Sequence, residues 1–320
     1  MKITVLGTGR WGSFQAWYAS RCGHEVLHWG RAGFPDFEAL AKNRRNSYLV
    51  MPDSVVLNSD LDAAMAHSDV VVISIMAQAL RELATKLNNY DLTGKKFLLC
   101  MKGLEEQTGK RLSTVMEECI DQPVGVAVLA GPGHVQSYTA GIPGAMVIDS
   151  RDPDLIRFFV ELLGSDLIRL YIGTDLIGTE IGAAAKNVIG LAAGMLDGFG
   201  YESLKGALMA RGAREVARLI CAMGGSEMSA YGLCHLGDYE ATLFSPFSNN
   251  RTFGERFARG EPFDKLAEGV FTVKAMVELS NQLGVELPIS RALLHIVHQG
   301  SDPKEELTSL FLRSVKEEFY

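Results

Sequence analysis

The 320-residue chain predicts an α/β fold in which a mostly parallel sheet domain is followed by an all-α domain. Three observations carry that expectation. Short β-branched runs alternate with helix-length segments through the first half. Those runs are apolar throughout instead of alternating polar and apolar. After residue 173 convincing strand-like runs give way to helical patterns. Continuously apolar strands separated by helices mark a parallel sheet covered on both faces.

The elements follow in order. "KITVLG" is a β-branched run closed by glycine, and "RWGSFQAWYASRC" after it has helical spacing. "HEVLHWG" is a second strand, and "DVVVISI" (69–75), "KFLLCMKG" (96–103), "VGVAVLAGP" (124–132), "AMVID" (145–149) and "LIRLYIG" (167–173) continue the series. Helical segments at 77–88 and 110–120 lie between them. Beyond 174 the patterns at 178–198, 206–223, 264–284 and 303–318 are helical, which places a domain boundary near 174. The expected units are 1–173 and 174–320, with no repeat or low-complexity linker between them. The terminal "VKEEFY" is expected to be mobile.

Composition narrows the function classes. Apolar residues make up 47% and charged residues 22%, the balance of an ordinary globular protein. A formal charge of -7 argues against a nucleic-acid partner, which calls for a basic field. The five cysteines are odd in number and form no CxxC pair, which favours free thiols in a reducing compartment over disulfides or zinc. No apolar run is long enough to span a bilayer. "MKITVLGTG" reads as strand and turn instead of a signal peptide, so a cytoplasmic protein is expected.

"GTGRWG" places Gly7, Gly9 and Gly12 in GxGxxG spacing between the first strand and the first helix. There the first glycine makes the tight turn, the second lets backbone approach a pyrophosphate, and the third permits helix–strand packing. The helix N-terminus then attracts the phosphates. The motif predicts a dinucleotide. A strict NAD site carries an acid at the end of the second strand, where this chain has "HWGRAG" with Arg31. An arginine there accepts a 2′-phosphate, with Arg10 placed to assist, so the cofactor leans to NADP(H) with NAD(H) tolerated.

"GTEIGAAAKNVIGLAAGMLDG" sets Gly178, Gly182, Gly190, Gly194 and Gly198 at every fourth position and fills the remaining slot with Lys186. Each interior glycine costs a helix about 1 kcal/mol relative to alanine. The ridge therefore implies a close partner, either another helix or a flat cofactor ring. Among apolar neighbours the Lys186 ammonium is expected to be partly desolvated and its pKa pulled towards neutrality. That suits a group giving a proton to a developing alkoxide.

"GTGRWG", "MKGLE" (101–105), "GP" (131–132), "AAAKNVIGLAAGMLDGFG" (183–200), "LGDYEATLFSPFSNNRTFGE" (236–255) and "AEGVFTVKA" (267–275) stand in one order along almost the whole chain. In that order and spacing they resemble the NAD(P)-dependent glycerol-3-phosphate dehydrogenases. The resemblance implies a Rossmann-type domain, then helices, and reversible reduction of dihydroxyacetone phosphate to sn-glycerol 3-phosphate for phospholipid synthesis. It also implies a homodimer through the helical domain.

By position, Lys186 resembles the catalytic proton donor and acceptor, Lys102 a second active-site lysine, and Asp238 the acid that orients the lysines. The same comparison puts Asn187, Thr242, Ser248, Asn249, Asn250 and Arg251 with the substrate. It puts Gly7, Gly9, Arg10, Trp11, Gly12, Arg31, Lys102, Gly131, Gly133, Val135, Asn249, Leu266 and Glu268 with the cofactor. Two departures stand out. The family reads S-R-N-R where this chain has Ser248-Asn249-Asn250-Arg251, so an arginine that grips phosphate is replaced by Asn249, and Arg251 is the expected substitute. The "GPGHVQSYTAGIPGA" segment also departs, leaving His134 and Gln136 without an assigned role.

Other readings stay open at the level of residues. A two-domain reductase of β-hydroxyacids or ketopantoate also uses a lysine on the first helix after the sheet. A non-catalytic NADP sensor would explain the missing arginine but not the retention of Lys102, Lys186 and Asp238 together. His295 and His298 share a helix face but lack a wider ligand set, so no metal is expected. Cys234 and His235 are expected to pack, and "KNRR" (42–45) to be a solvated helix end.

Overall fold

Val70 and Val72 turn to one face of a sheet, where Ile3, Val5 and Leu98 join them, while Val71 and Ile73 turn to the other with Leu6 and Leu99. A strand buried on both faces has no reason to alternate in polarity, which is why these runs are apolar throughout. The computed structural model describes residues 1–314, 317 and 318. Most of the terminal "VKEEFY" lies outside them.

The strands are β1 (Lys2–Leu6), β2 (Glu25–Trp29), β3 (Val56–Asn58), β4 (Val70–Ile73), β5 (Lys96–Leu99), β6 (Gly125–Ala130), β7 (Gly144–Ser150) and β8 (Ile168–Ile172). Their order across the sheet is 3-2-1-4-5-6-7-8, with every pairing parallel except β6 with β7. The chain reverses direction of travel between β1 and β4. Ligands of open α/β sheets bind at such a switch point, beyond the strands' carboxyl ends. β3, only three residues long, escaped the sequence reading.

Helices α1 (Arg10–Arg21), α2 (Pro35–Asn43), α3 (Leu61–His67), α4 (Leu80–Leu87), α5 (Leu112–Cys119), α6 (Val135–Thr139) and α7 (Pro153–Leu163) cover the sheet. The chain then turns into α8 (Leu176–Gly198), α9 (Lys205–Ala222), α10 (Asn249–Ala258), α11 (Glu268–Leu283), α12 (Pro288–Gln299) and α13 (Pro303–Ser309). The helix expected over 303–318 therefore ends early, passing into a 3₁₀ turn at Leu310–Leu312. "KNRR" is more than a solvated end. Arg44 adopts φ 53° at the end of α2, and its guanidinium donates to the carbonyls of Pro52 and Val55.

α8 is the axis of the second half, buried along nearly its whole length. Its glycine ridge has helical and loop partners. A Cβ at Gly182 would lie 3.0 Å from Cys234 Sγ, one at Gly190 2.9 Å from Thr242 Cγ2, and one at Gly194 1.9 Å from the Arg251 carbonyl oxygen. From the other side, a Cβ on Gly254 of α10 would lie 2.1 Å from the Leu191 carbonyl oxygen of α8. Helix α10 and the segment leading to it thus lie on the α8 backbone itself.

Two clasps fix α8 against the sheet. Glu180, buried, accepts from Arg111 Nη1 at 2.6 Å, Ser113 N at 2.9 Å and Ser113 Oγ at 2.6 Å. Asp149 at the end of β7 accepts from Asp175 N at 3.1 Å and Thr179 Oγ1 at 2.9 Å. These bonds set where the lysine on α8 meets the strand ends.

Candidate active site

Two amines converge on one carboxylate oxygen. Lys186 Nζ from α8 and Lys102 Nζ from the loop after β5 each lie 2.7 Å from Asp238 Oδ2. Asp238 is 1% exposed, and its other oxygen, Oδ1, is buried without a hydrogen-bond partner. Lys102 Nζ also donates to the Gly131 carbonyl at 2.7 Å, and Lys186 Nζ donates to Thr242 Oγ1 at 2.8 Å. Thr242 reaches that point because residues Glu240–Phe244 wind as a π-helix, whose wider turn re-aims side chains.

Burial dominates the Lys186 ammonium and lowers its pKa to about 8, with the attraction of Asp238 opposing the shift and the charge of Lys102 adding to it. An amine near that value exchanges its proton readily around neutral pH. The His235 ring next to Asp238 does not titrate there. It is fully buried, bonded to the Gly182 carbonyl at 2.9 Å and the Tyr239 hydroxyl at 2.7 Å, and burial lowers its pKa to about 4. Cys234 and His235 pack, as expected.

Beside this cluster a cleft of about 610 Å³ opens over the switch point. Gly7, Gly9, Arg10, Trp11, Arg31, Asn249, Leu266 and Glu268 line it. Gly7 turns at φ 113°, where a Cβ would lie 2.2 Å from the Ser74 carbonyl, and a Cβ at Gly12 would meet the Gly7 carbonyl at 1.9 Å. A Cβ at Gly9 would meet nothing within 4 Å. The glycine fingerprint is therefore built for two close backbone contacts and one face open to the cleft, in front of a helix N-terminus with no acid in its first turn. Glu268 adds a buried carboxylate oxygen, Oε2, without a partner. An anionic dinucleotide bearing an amide fits these groups.

The known proteins agree with this geometry. Residues 2–156 match the N-terminal family of NAD-dependent glycerol-3-phosphate dehydrogenase and residues 175–308 match its C-terminal family. The chain is 37% identical to glycerol-3-phosphate dehydrogenase [NAD(P)+] of Prosthecochloris aestuarii, over 99% of this chain and 100% of that one. It is 35% identical to the Chlorobium limicola protein of that name, over the full length of both. The crystal structure of glycerol-3-phosphate dehydrogenase from Coxiella burnetii superposes with a TM-score of 0.90 at 26% identity, covering 98% of this chain and 99% of that one.

The chain belongs to the NAD-dependent glycerol-3-phosphate dehydrogenase family.

Membership makes it an NAD(P)-dependent oxidoreductase and sets aside the ketopantoate-type reading. Within that family frame, several expected site residues have other work. Asn187 is buried, donates to the Lys102 carbonyl at 2.9 Å and accepts from Asn250 Nδ2 at 3.0 Å. Asn250 Oδ1 in turn accepts from Gly269 N at 2.9 Å. The two amides are a bracket joining the Lys102 loop, α8, α10 and α11, with both ends used on protein. Ser248 caps α10, its hydroxyl accepting from Arg251 N at 3.3 Å. Asn249 Nδ2 donates to the Leu266 carbonyl at 3.1 Å.

Two other expected site residues make protein contacts in this structure. Arg251, expected to replace the missing arginine, is paired with Asp197 at 2.6 Å and Glu255 at 3.3 Å. Asp197 lies eleven residues along α8 from Lys186, or about 16 Å at the helix rise, so Arg251 is drawn away from the amines. Val135 is fully buried and packs with Phe14 and Tyr138 in the sheet core, away from the cleft. Gly131 and Gly133, at φ 136° and 157°, shape the turn that presents the Gly131 carbonyl to Lys102.

The sequence reading missed Asp36, Tyr48 and Lys265, which line the cleft, and it left His134 without a role. His134 packs edge-on against Phe247, and its Nε2 is buried without a partner. Tyr48 sits on a loop with no motif, and its place depends on the chain folding back over α1. His295 pairs with Glu306 and His298 with the Val270 carbonyl, which explains that pair structurally.

Proposed function

We propose that this chain reduces dihydroxyacetone phosphate reversibly to sn-glycerol 3-phosphate, with Lys186 moving the proton. A nicotinamide held in the cleft would supply the hydride chemistry of the reaction. Lys186, charged below its pKa of about 8, gives its proton to the carbonyl oxygen as it becomes an alkoxide. Lys102, the second amine on Asp238, offsets the developing negative charge in a water-poor site. Asp238 orients both amines through Oδ2 and offers Oδ1 to a substrate hydroxyl. The convergence of two lysines, from separate halves of the chain, on one buried carboxylate oxygen carries this reading.

On the cofactor side the reading gives Gly7, Gly9 and Gly12 the pyrophosphate turn and Trp11 the wall next to Lys102, whose amine lies 5.3 Å from the indole centre. Leu266 and Glu268 would hold the nicotinamide end, and Arg31, which also meets Glu82 at 3.7 Å, would favour the 2′-phosphate of NADP(H) without excluding NAD(H). Residues 1–173 form the dinucleotide unit and 174–320 the helical unit. The described residues contain no helix long and apolar enough to cross a membrane. A cytoplasmic homodimer joined through the helices completes the proposal.

The test is Lys186→Ala assayed for NADPH oxidation with dihydroxyacetone phosphate. Turnover is expected to fall by a factor of about 10² or more while NADPH affinity holds. Turnover near the wild-type value would refute the role given to Lys186.

A further inference from the structure

A dianionic phosphate ester needs cations, and those at the reacting centre are already engaged. Lys102 and Lys186 share Asp238, and Arg251 is paired with Asp197 and Glu255. The Asn249 amide donates to Leu266 and adds no charge. Two cations lining the cleft, Lys265 and Arg10, have no ion pair among the described residues, and Arg10 is the one bonded to the segment that leads into α10. Arg10, the first residue of α1, reaches out of the sheet half of the molecule and donates from Nη1 to the Phe247 carbonyl at 2.9 Å. Phe247 lies two residues before Asn249, where the first-turn N–H groups of α10 lack intrahelical partners. The Arg10 guanidinium rests over the Tyr48 ring at 5.4 Å. No other hydrogen bond engages it among the described residues, so most of a guanidinium's five donors are left for a ligand.

We propose that Arg10 is the arginine that grips the substrate's phosphate, supplied from α1 in place of the position held by Asn249. This rests on the reading of the reaction given above. Its consequence is that the phosphate is held between the two halves of the molecule, α1 on one side and the start of α10 on the other. The alternative duty for Arg10, assistance at a cofactor 2′-phosphate, predicts a different pattern of loss. Arg31, on the far wall, is where that phosphate is expected.

Steady-state reduction by Arg10→Ala separates these roles. The KM for dihydroxyacetone phosphate is expected to rise roughly 10- to 100-fold, the range of a lost charge-assisted hydrogen bond, with kcat little changed. NADPH affinity, read by fluorescence titration without turnover, is expected to hold within about threefold. With dihydroxyacetone, which has no phosphate, wild type and variant are expected to have the same kcat/KM. Adding Asn249→Arg to Arg10→Ala is expected to restore most of the lost affinity, which a merely structural role for Arg10 would not allow. An unchanged KM, a loss shared by dihydroxyacetone, or a loss in NADPH affinity of the same size would overturn the proposal. Wild-type enzyme inert towards dihydroxyacetone phosphate would overturn the underlying reaction as well.

Discussion

Gly194→Ala sets two effects of known size against each other. Alanine stabilises a helix interior by about 1 kcal/mol over glycine, and on that ground alone the variant would be the more stable protein. The new methyl, however, would lie 1.9 Å from the Arg251 carbonyl oxygen and 2.8 Å from the Glu255 amide nitrogen, both backbone atoms of α10. Reaching 3.4 Å, where ordinary contact begins, requires α10 to retreat by 1.5 Å. Overpacking of this kind costs about 1–3 kcal/mol, and backbone cannot rotate aside as a side chain can. A clash of backbone against methyl puts the cost near the top of that range, so the net expectation is a loss of about 2 kcal/mol, or roughly 4–6 °C in Tm for a chain of this size. The same retreat stretches the 3.0 Å bond from Asn250 to Asn187, so the KM for dihydroxyacetone phosphate should rise along with the loss of stability. Thermal unfolding followed by circular dichroism, paired with steady-state kinetics, measures both. Gly206→Ala is the control, because a Cβ there meets nothing within 4 Å and should leave Tm unchanged or raise it. If Gly194→Ala melted at or above the wild-type temperature, the claim that α10 rests on the α8 backbone would be wrong.

Two further outcomes are expected. Burial lowers the Lys186 pKa from its ordinary value to about 8, so the ammonium needed for reduction is lost as pH rises through that point. The kcat for ketone reduction should therefore fall above about pH 8 and that for alcohol oxidation should rise; a reduction rate still flat at pH 10 would contradict the assignment. Glu180→Ala leaves Arg111, with 10% of its side chain exposed, without its buried partner. Breaking such a pair costs about 3–5 kcal/mol, readable as a lowered urea midpoint. A midpoint equal to that of wild type would show that this clasp does not hold α8.

Much of the fold could be read locally. The apolar strands, the glycine turn before α1 and the long α8 each obey a short-range rule: period, turn chemistry or helix spacing. Glycine spacing also announced that α8 has a close neighbour, but the neighbour's identity, α10 with the segment before it, depends on contacts between residues some fifty positions apart. For the same reason helix spacing alone singled out Lys186, while Lys102 and Asp238 came only through the family resemblance. A lysine on a smooth apolar ridge predicts a perturbed amine, yet nothing along the chain shows that Lys102 arrives from the other half at the same carboxylate oxygen. Residue type likewise does not say which partner an amide meets, and only the fold joins Asn187 to Asn250.

Sequence alone determined the alternation of strands and helices and the helical run that follows, the dinucleotide turn and the chemical type of the reactive groups, since each depends on neighbours a few residues away. Tertiary structure decided which charges remain for a ligand. Arg251 is paired with Asp197, and Arg10 reaches the Phe247 carbonyl across 237 residues of chain. Electrostatic partnership falls with distance through space, and folding sets that distance independently of separation along the chain.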